Sequence, residues 1–106
     1  MLFEKEKDIQ GAICDYLALR KIFFWRNNTT PIYDPTRNVF RAMSKYALKG
    51  RPDIEIIKGG SYIGLEVKTP RTRQNVFQVA FEKQCKEAGG KYHLVRSLND
   101  VIELGL

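Results

Sequence analysis

The feature that most constrains this chain is a pair of strand-like segments separated by two glycines. Polar and apolar residues alternate over 53–58, the glycines occupy 59–60, and a second strand-like segment follows over 61–68. Two glycines between such segments are typical of a two-residue β-hairpin turn. That turn sets the register of the two strands and places Asp53 directly opposite Glu66. A three-residue loop would shift the register by one residue and separate these two carboxylates.

The two opposed carboxylates would repel each other unless another group compensates their charge. Opposed strand residues have Cβ atoms about 4.5–5.5 Å apart, and like charges at that distance repel. Mg²⁺ compensates most simply, because it takes oxygen ligands from a few carboxylates and water. Glu66 and Lys68 point to the same side of the strand, so Lys68 can neutralise charge on a phosphate or orient a water. A solvent-facing strand in which Lys68 pairs with Glu66 is an equally open interpretation of the hairpin alone.

The remaining pattern predicts one small α/β domain that spans residues 1–106. Apolar residues recur with helical spacing over 5–20 and 74–88, and residues 21–26 form an apolar, aromatic segment typical of a buried strand. A short strand is predicted over 92–96, before a last helix. The predicted order is αβββαβα, with a mixed central sheet flanked by helices.

Two further segments complete the prediction. Ser97 followed by Asp100 three positions later is typical of a helix N-cap, which opens the last helix. Residues 31–50 have no clear period, and we expect a loop there with a short strand near Val39.

Composition narrows the classes of function. The formal net charge of +6 favours a polyanionic partner, nucleic acid first and an anionic membrane surface second. Cys14 and Cys85 lack CxxC spacing, so we expect reduced core residues in a cytoplasmic protein. His93 is the only histidine in the sequence, which disfavours a histidine metal cluster or a Ser-His-Asp triad. No apolar run approaches the ~20 residues needed to cross a bilayer.

An ordered set of motifs resembles the PD-(D/E)XK nuclease core and, within that superfamily, the VRR-NUC family of virus-type replication-repair nucleases. Its centre is Gly50-Arg51-Pro52-Asp53-Ile54 followed by Glu66-Val67-Lys68. A lone Glu-x-Lys is a weak signal, whereas motifs in the right order over most of the chain are a strong one. The flanking matches are Glu6-x-x-Ile9-Gln10 with Tyr16-Leu17, Phe24-Trp25-Arg26-Asn27-Asn28, Gln78-x-x-Phe81, Gly89-Gly90-Lys91-Tyr92 and Val95-Arg96-Ser97.

The resemblance implies a restriction-endonuclease-like fold and a metal site for Mg²⁺ or Mn²⁺. Its implied ligands are Glu6, Asp53, Glu66 and the backbone carbonyl of Val67. Lys68 matches the catalytic lysine of the family. Gln78 matches a glutamine that the family places near the site on its second helix, and we count it among the catalytic residues.

Helical geometry supports Glu6 as the first acidic residue. At 100° per residue, Glu6 projects near Ile13 and Leu17, at the margin of the apolar stripe. Glu4 and Asp8 project to roughly the opposite side. The alternative is a solvated first turn in which acidic residues are favoured by the helix dipole.

Basic and polar residues flank the implied site on both sides. They can hold phosphates through contacts whose strength depends on salt. The alternatives are scattered surface charge and, for the asparagines after the first strand, a role in a turn. The candidates for DNA contact are Arg26, Asn28, Lys49, Arg51, Arg71 and Arg73.

These observations predict a metal-dependent, structure-specific DNA endonuclease in the cytoplasm of a bacterium or phage-infected cell. The resemblance and the short length favour a homodimer acting on four-way junctions or other branched DNA, because a two-fold dimer carries two symmetric sites. Two alternatives stay open. One is a basic nucleic-acid-binding module that performs no catalysis, and the other is a nuclease subunit that needs a partner.

Overall fold

The computed structural model describes residues 5–27 and 45–106, together with the backbone of residues 33–34 and 39–40. These residues form three helices and six strands. The helices are α1 (Glu6–Leu19), α2 (Val76–Glu87) and α3 (Leu98–Glu103); the strands are β1 (Phe23–Arg26), β2 (Tyr33–Asp34), β3 (Val39–Phe40), β4 (Ile54–Lys58), β5 (Ser61–Val67) and β6 (Lys91–Val95).

The main sheet has four strands in the order β1-β4-β5-β6. β1 pairs antiparallel with β4 and β4 with β5, whereas β5 and β6 are parallel. The predicted small α/β domain with a mixed sheet and helices is therefore confirmed. β2 and β3 form a separate antiparallel ribbon. With this ribbon, the described chain departs from the predicted αβββαβα order by two short strands, of which sequence pattern indicated only the one near Val39.

The turn between β4 and β5 has the predicted geometry. Gly59 and Gly60 both have positive φ angles, 58° and 77°, as a type I′ turn requires. Lys58 pairs with Ser61, and the register continues to Ile54 opposite Leu65. The two-residue turn is thus confirmed, and the register shift of a three-residue loop does not occur.

One face of the sheet carries the apolar core. Alternate residues of β4 and β5 point to this face and pack against α1, whose buried residues follow helical spacing, and against α3. Ser97 caps α3 as predicted, by accepting a hydrogen bond from the Asp100 N–H. The fully buried members of this core are Ile13, Leu17, Ile54, Ile56, Leu65, Val67, Val95 and Val101.

The opposite face of the sheet is covered by α2. Asn75 caps this helix in a reciprocal capping box with Gln78. No residue of α2 is buried, although its pattern predicts a core-facing helix. Phe81 and Cys85 are half-buried on the side toward the sheet, where Phe81 lies 6.2 Å from the ring of Tyr92.

The prediction of a buried first strand is wrong. Among the described strands, β1 lies at an edge of the main sheet and pairs with β4. Phe23 is 66% exposed and Arg26 is exposed, while Trp25 is half-buried. Branched and aromatic residues indicate a strand but do not separate an edge strand from a central one.

The two cysteines are free and half-buried, and Cys14 packs against the core. None of the helices in the described part of the chain has the length and apolar character to span a membrane.

Candidate functional site

The hairpin brings Asp53 and Glu66 together, as the register predicts. Asp53 immediately precedes β4, and its Oδ2 accepts a hydrogen bond of 2.8 Å from the Val67 N–H. The Asp53 carboxyl also lies within hydrogen-bonding reach of Glu66 and acts on it through its charge. The pair therefore sits at the end of β4, on the α2 side of the sheet.

Glu66 is a buried carboxyl held from two further elements. It is only 1% exposed. The Gln78 side-chain amide, in the first turn of α2, donates to Oε1 at 3.2 Å. The Tyr92 hydroxyl, on β6, donates to Oε2 at 3.3 Å. Gln78 thus contacts Glu66, near the site where the resemblance places it. Tyr92 also contacts Glu66, and sequence analysis did not identify it as a site residue.

Burial raises the pKa of Glu66 to about 9, and the hydrogen bond and negative charge of Asp53 add to the increase. The charge of Lys68 and the hydrogen bond from Tyr92 act in the opposite direction. A carboxyl with this pKa holds a proton at neutral pH, and one proton between two carboxyls removes their mutual repulsion. A bound cation would take the place of that proton.

Lys68 lies on the same side of the sheet as Glu66, because side chains alternate along a strand. It is half-buried, and it is close enough for its charge to lower the pKa of Glu66. Asp53, Glu66 and Lys68 therefore lie together at one end of the hairpin, as the sequence predicts.

The Val67 carbonyl also faces this pair. The Lys68 N–H points to β6, where it donates to the Val95 carbonyl. The Val67 N–H points the other way, toward the β4 side, where it donates to the Asp53 carboxylate. The N–H and C=O of one strand residue point to the same neighbouring strand. The Val67 oxygen therefore lies on the Asp53 side. Two carboxyls and one carbonyl form the kind of oxygen donor set that Mg²⁺ or Mn²⁺ takes.

Glu6 occupies a different position from this pair. It is half-buried in the first turn of α1, and its Oε1 accepts a hydrogen bond of 2.7 Å from the Thr72 hydroxyl. Thr72 belongs to the loop that leaves β5 after Lys68. In residues 5–27 and 45–106, no group of three or more His, Cys, Asp or Glu side chains is arranged to hold a metal ion. The fold thus joins Asp53 to Glu66 and places Glu6 against the neighbouring loop.

Two of the predicted DNA-contacting arginines have protein partners. The Arg51 guanidinium forms an ion pair with Glu55. The Arg26 Nε donates to the Gln10 side chain at 2.8 Å, and Arg26 lies opposite Ile54 in the β1–β4 pairing. Because Ile54 faces the α1 side, Arg26 points away from the acidic pair.

The other predicted DNA contacts lie around the site or beyond the described residues. The Lys49 ammonium lies 5.0 Å from the centre of the Phe77 ring and is exposed. Arg71 and Arg73 are exposed in the loop after β5. Asn28 lies outside the residues that the structure describes.

A second buried carboxyl, Glu55, was missed by sequence analysis. It is 4% exposed and lies on the same face of β4 as Asp53. Burial by itself would raise the pKa of Glu55, but hydrogen bonds from Tyr62, Asn27 and Arg51 bring it below the usual value. A signal was present, because a Glu between apolar residues of an inner strand shares the face of the Asp two residues before it.

Comparison with protein-family models, curated proteins and solved structures found no match for this chain.

Proposed function

We propose that this protein is a Mg²⁺- or Mn²⁺-dependent DNA endonuclease of the VRR-NUC type, with a PD-(D/E)XK nuclease fold. The observation that carries this proposal is the buried carboxyl of Glu66 next to the half-buried carboxyl of Asp53, with Lys68 on the same side of the sheet. A buried carboxyl held next to a second carboxyl is costly to maintain for stability alone. Perturbed carboxyl groups of this kind cluster at functional sites.

The chain's own residues divide the work of the proposed site. Asp53, Glu66 and the Val67 carbonyl would hold the cation, whereas Glu6, the further ligand that the resemblance implies, is bonded to the Thr72 hydroxyl. When bound, the cation supplies Lewis-acid polarisation of a phosphate and lowers the pKa of a water. Glu66 gives up its proton on binding, since a carboxyl must be ionised to ligate a metal.

The groups around Glu66 keep its carboxyl in place while that proton leaves. Gln78 and Tyr92 each donate to one oxygen of Glu66, so both oxygens remain oriented in the ionised state. Lys68 would stabilise the negative charge that develops on the phosphate, or orient the attacking water.

Lys49, Arg71 and Arg73 are predicted phosphate contacts that are exposed and lie before and after the acidic residues in the chain. Arg51 is exposed as well but pairs with Glu55. With the net charge of +6, the first three residues support binding to the DNA backbone. Phosphate contacts carry no sequence information, so the proposed specificity is for the shape of the DNA. The favoured substrate is a four-way junction or other branched DNA cut by a homodimer, and this part of the proposal comes from the resemblance.

The test is a cleavage assay on a synthetic four-way junction beside duplex, flap and single-stranded DNA of the same sequences. Each substrate is incubated with Mg²⁺, with Mn²⁺ or with EDTA. We expect metal-dependent cleavage of the branched substrates, and paired symmetric cuts on the junction. Glu66→Gln should reduce the rate by about a hundredfold or more, because it removes an ionisable metal ligand.

Glu103→Gln is the matched control, since Glu103 is an exposed acid at the end of α3 whose carboxylate accepts a hydrogen bond from the Asn99 side chain. It should cut like the unmodified protein. Salt-sensitive binding to all substrates without cutting would instead identify a non-catalytic binding module. Cutting that requires an added cell extract would identify a subunit that depends on a partner.

A further inference from the structure

Asn27 holds the backbone of residues 52–53 at two points. It follows β1 directly, beyond the last pair of the β1–β4 ladder, Arg26 with Ile54. Its backbone N–H donates to the Asp53 carbonyl at 2.9 Å. Its side-chain amide donates to the Pro52 carbonyl at 2.7 Å. One residue therefore extends the contact between the two chain segments to the peptide that carries Asp53.

Asn27 is itself fixed by a buried carboxylate. The same side-chain amide donates to Oε1 of Glu55. The Tyr62 hydroxyl donates to Oε2 of Glu55 at 2.6 Å. Arg51 forms an ion pair with Oε1 of the same carboxylate. The Asn27 amide cannot turn away without removing a donor from a charged, buried group, which is costly. The orientation of Asn27 is therefore determined by Glu55.

Asp53 needs such support because it lies outside the regular ladder. It immediately precedes β4, where strand pairing no longer restrains its backbone. Its carboxylate nevertheless meets the Val67 N–H at 2.8 Å and the Glu66 carboxyl. Both contacts depend on where the Pro52–Asp53 peptide sits, and that is the peptide that Asn27 holds.

We infer that Asn27 is a positioning residue for the proposed metal site, and that its bonds to Pro52, Asp53 and Glu55 fix the Asp53 carboxylate against Val67 and Glu66. The inference rests on the proposed function. Asn27 acts through Asp53 and touches neither cation nor substrate. Partners that orient a metal ligand typically contribute about 10- to 100-fold to metal affinity.

The test uses Asn27→Ala with two readouts besides cleavage. The first is hydrogen exchange at the Val67 amide in metal-free protein, measured by NMR. We expect this amide to exchange about tenfold faster, while the Ile63 amide in the middle of β5 is unchanged. The second is the Kd for Mn²⁺ from calorimetry, which we expect to increase about tenfold.

Gln10→Ala is the matched control. Gln10 lies in α1 and is the partner of Arg26, whose side chain lies on the α1 side of β1, away from the acidic pair. It should leave the Val67 amide and the Kd for Mn²⁺ unchanged. Tyr62→Phe is the milder variant should Asn27→Ala not fold, since it removes one donor to Glu55 and retains the ring. It should shift both readouts a fewfold in the same direction.

The two readouts separate the inference from the function on which it rests. An unchanged Val67 amide in Asn27→Ala, or in Tyr62→Phe if the former does not fold, would overturn the positioning role. A wild-type protein that neither binds Mn²⁺ nor cuts DNA would overturn the proposed function and with it the link to a metal site. The Val67 readout would still report whether Asn27 positions Asp53.

Discussion

The two faces of the main sheet differ in what they bury. The face toward α1 and α3 is an apolar core, with Ile54, Leu65 and Val67 fully buried against helix residues. The face toward α2 carries two buried carboxyls, Glu55 and Glu66, and α2 contributes no buried residue. The same two strands supply both faces, because successive side chains alternate between them.

The comparison shows how a small chain combines stability with a polar site. Apolar burial on one face supplies most of the favourable free energy of folding. The other face bears a cost, since a buried carboxyl must be neutralised or hydrogen-bonded. The polar face of this protein meets that cost in two ways. Glu55 is ionised among three donors, whereas Glu66 retains a proton.

The largest expected effect is a decrease in the free energy of unfolding with rising pH, caused by Glu66 on the polar face. The pKa of Glu66 is raised to about 9 in the folded state, so above its unfolded value of 4.5 the folded protein binds more protons than the unfolded one. Stability should decrease between about pH 5 and about pH 9, by up to roughly 1 kcal/mol per pH unit, and level off at higher pH. Urea titrations in EDTA between pH 7 and 9 avoid the titration of His93, whose pKa burial lowers from 6.5.

Glu66→Gln serves as the comparison for that series. An amide does not titrate, so the slope between pH 7 and 9 should be nearly absent. If the proposed metal site is correct, Mg²⁺ at pH 9 should also raise the Tm of the wild type and have little effect on Glu66→Gln. Equal pH slopes in the two proteins would contradict the assigned protonation of Glu66.

The second effect tests the apolar face. Leu65→Ala removes a fully buried side chain from the middle of the core, and should lower the free energy of unfolding by about 3 kcal/mol through lost burial and the cavity left behind. Val79→Ala, at an exposed position of α2, should change it by less than about 0.5 kcal/mol. Urea denaturation at pH 7 measures both. Similar losses for the two variants would contradict the contrast between the faces.

The third and smallest effect concerns the close contact between Gly50 and the backbone of Phe77 in α2, the helix that covers the polar face. Gly50 has a φ of 78°, and a Cβ there would lie 2.2 Å from the backbone oxygen of Phe77. Gly50→Ala should therefore destabilise the protein by about 2 kcal/mol, from left-handed strain together with displacement of α2. Tryptophan fluorescence during urea denaturation gives the stability.

Gly11→Ala is the control for this substitution. Gly11 lies in α1 with open space around its Cβ position, so alanine there should stabilise the helix by about 0.5–1 kcal/mol. Hydrogen exchange adds a second readout, since α2 amides should lose protection in Gly50→Ala while those of α1 keep it. Unchanged α2 protection would show that Gly50 does not seat this helix.

Local pattern was sufficient for the three helices, the strands of the main sheet and the hairpin. The helical spacing of Ile9, Ile13 and Leu17 predicted the core face of α1, and all three residues are buried. The two glycines predicted a turn that brings Asp53 beside Glu66, and the observed register does so. These predictions succeed because they depend on the period of side chains along one element and on the backbone angles that only glycine adopts easily.

Local pattern failed where the outcome depends on which elements become neighbours. The aromatic strand β1 was predicted to be buried, but it lies at the edge of the sheet. Arg26, which stays a predicted DNA contact, also has Gln10 of α1 as a partner. Sequence spacing does not indicate this partner, because the contact depends on how β1 packs against α1.

The sequence by itself indicated the register of the hairpin and the pairing of Asp53 with Glu66, because two adjacent glycines favour a two-residue turn. Only the tertiary structure decided the state of those carboxyls. Burial beneath α2 and the hydrogen bonds from Gln78 and Tyr92 arise from elements distant in the chain. The protonation of Glu66 follows from removal of water around it, which is a property of the assembled fold.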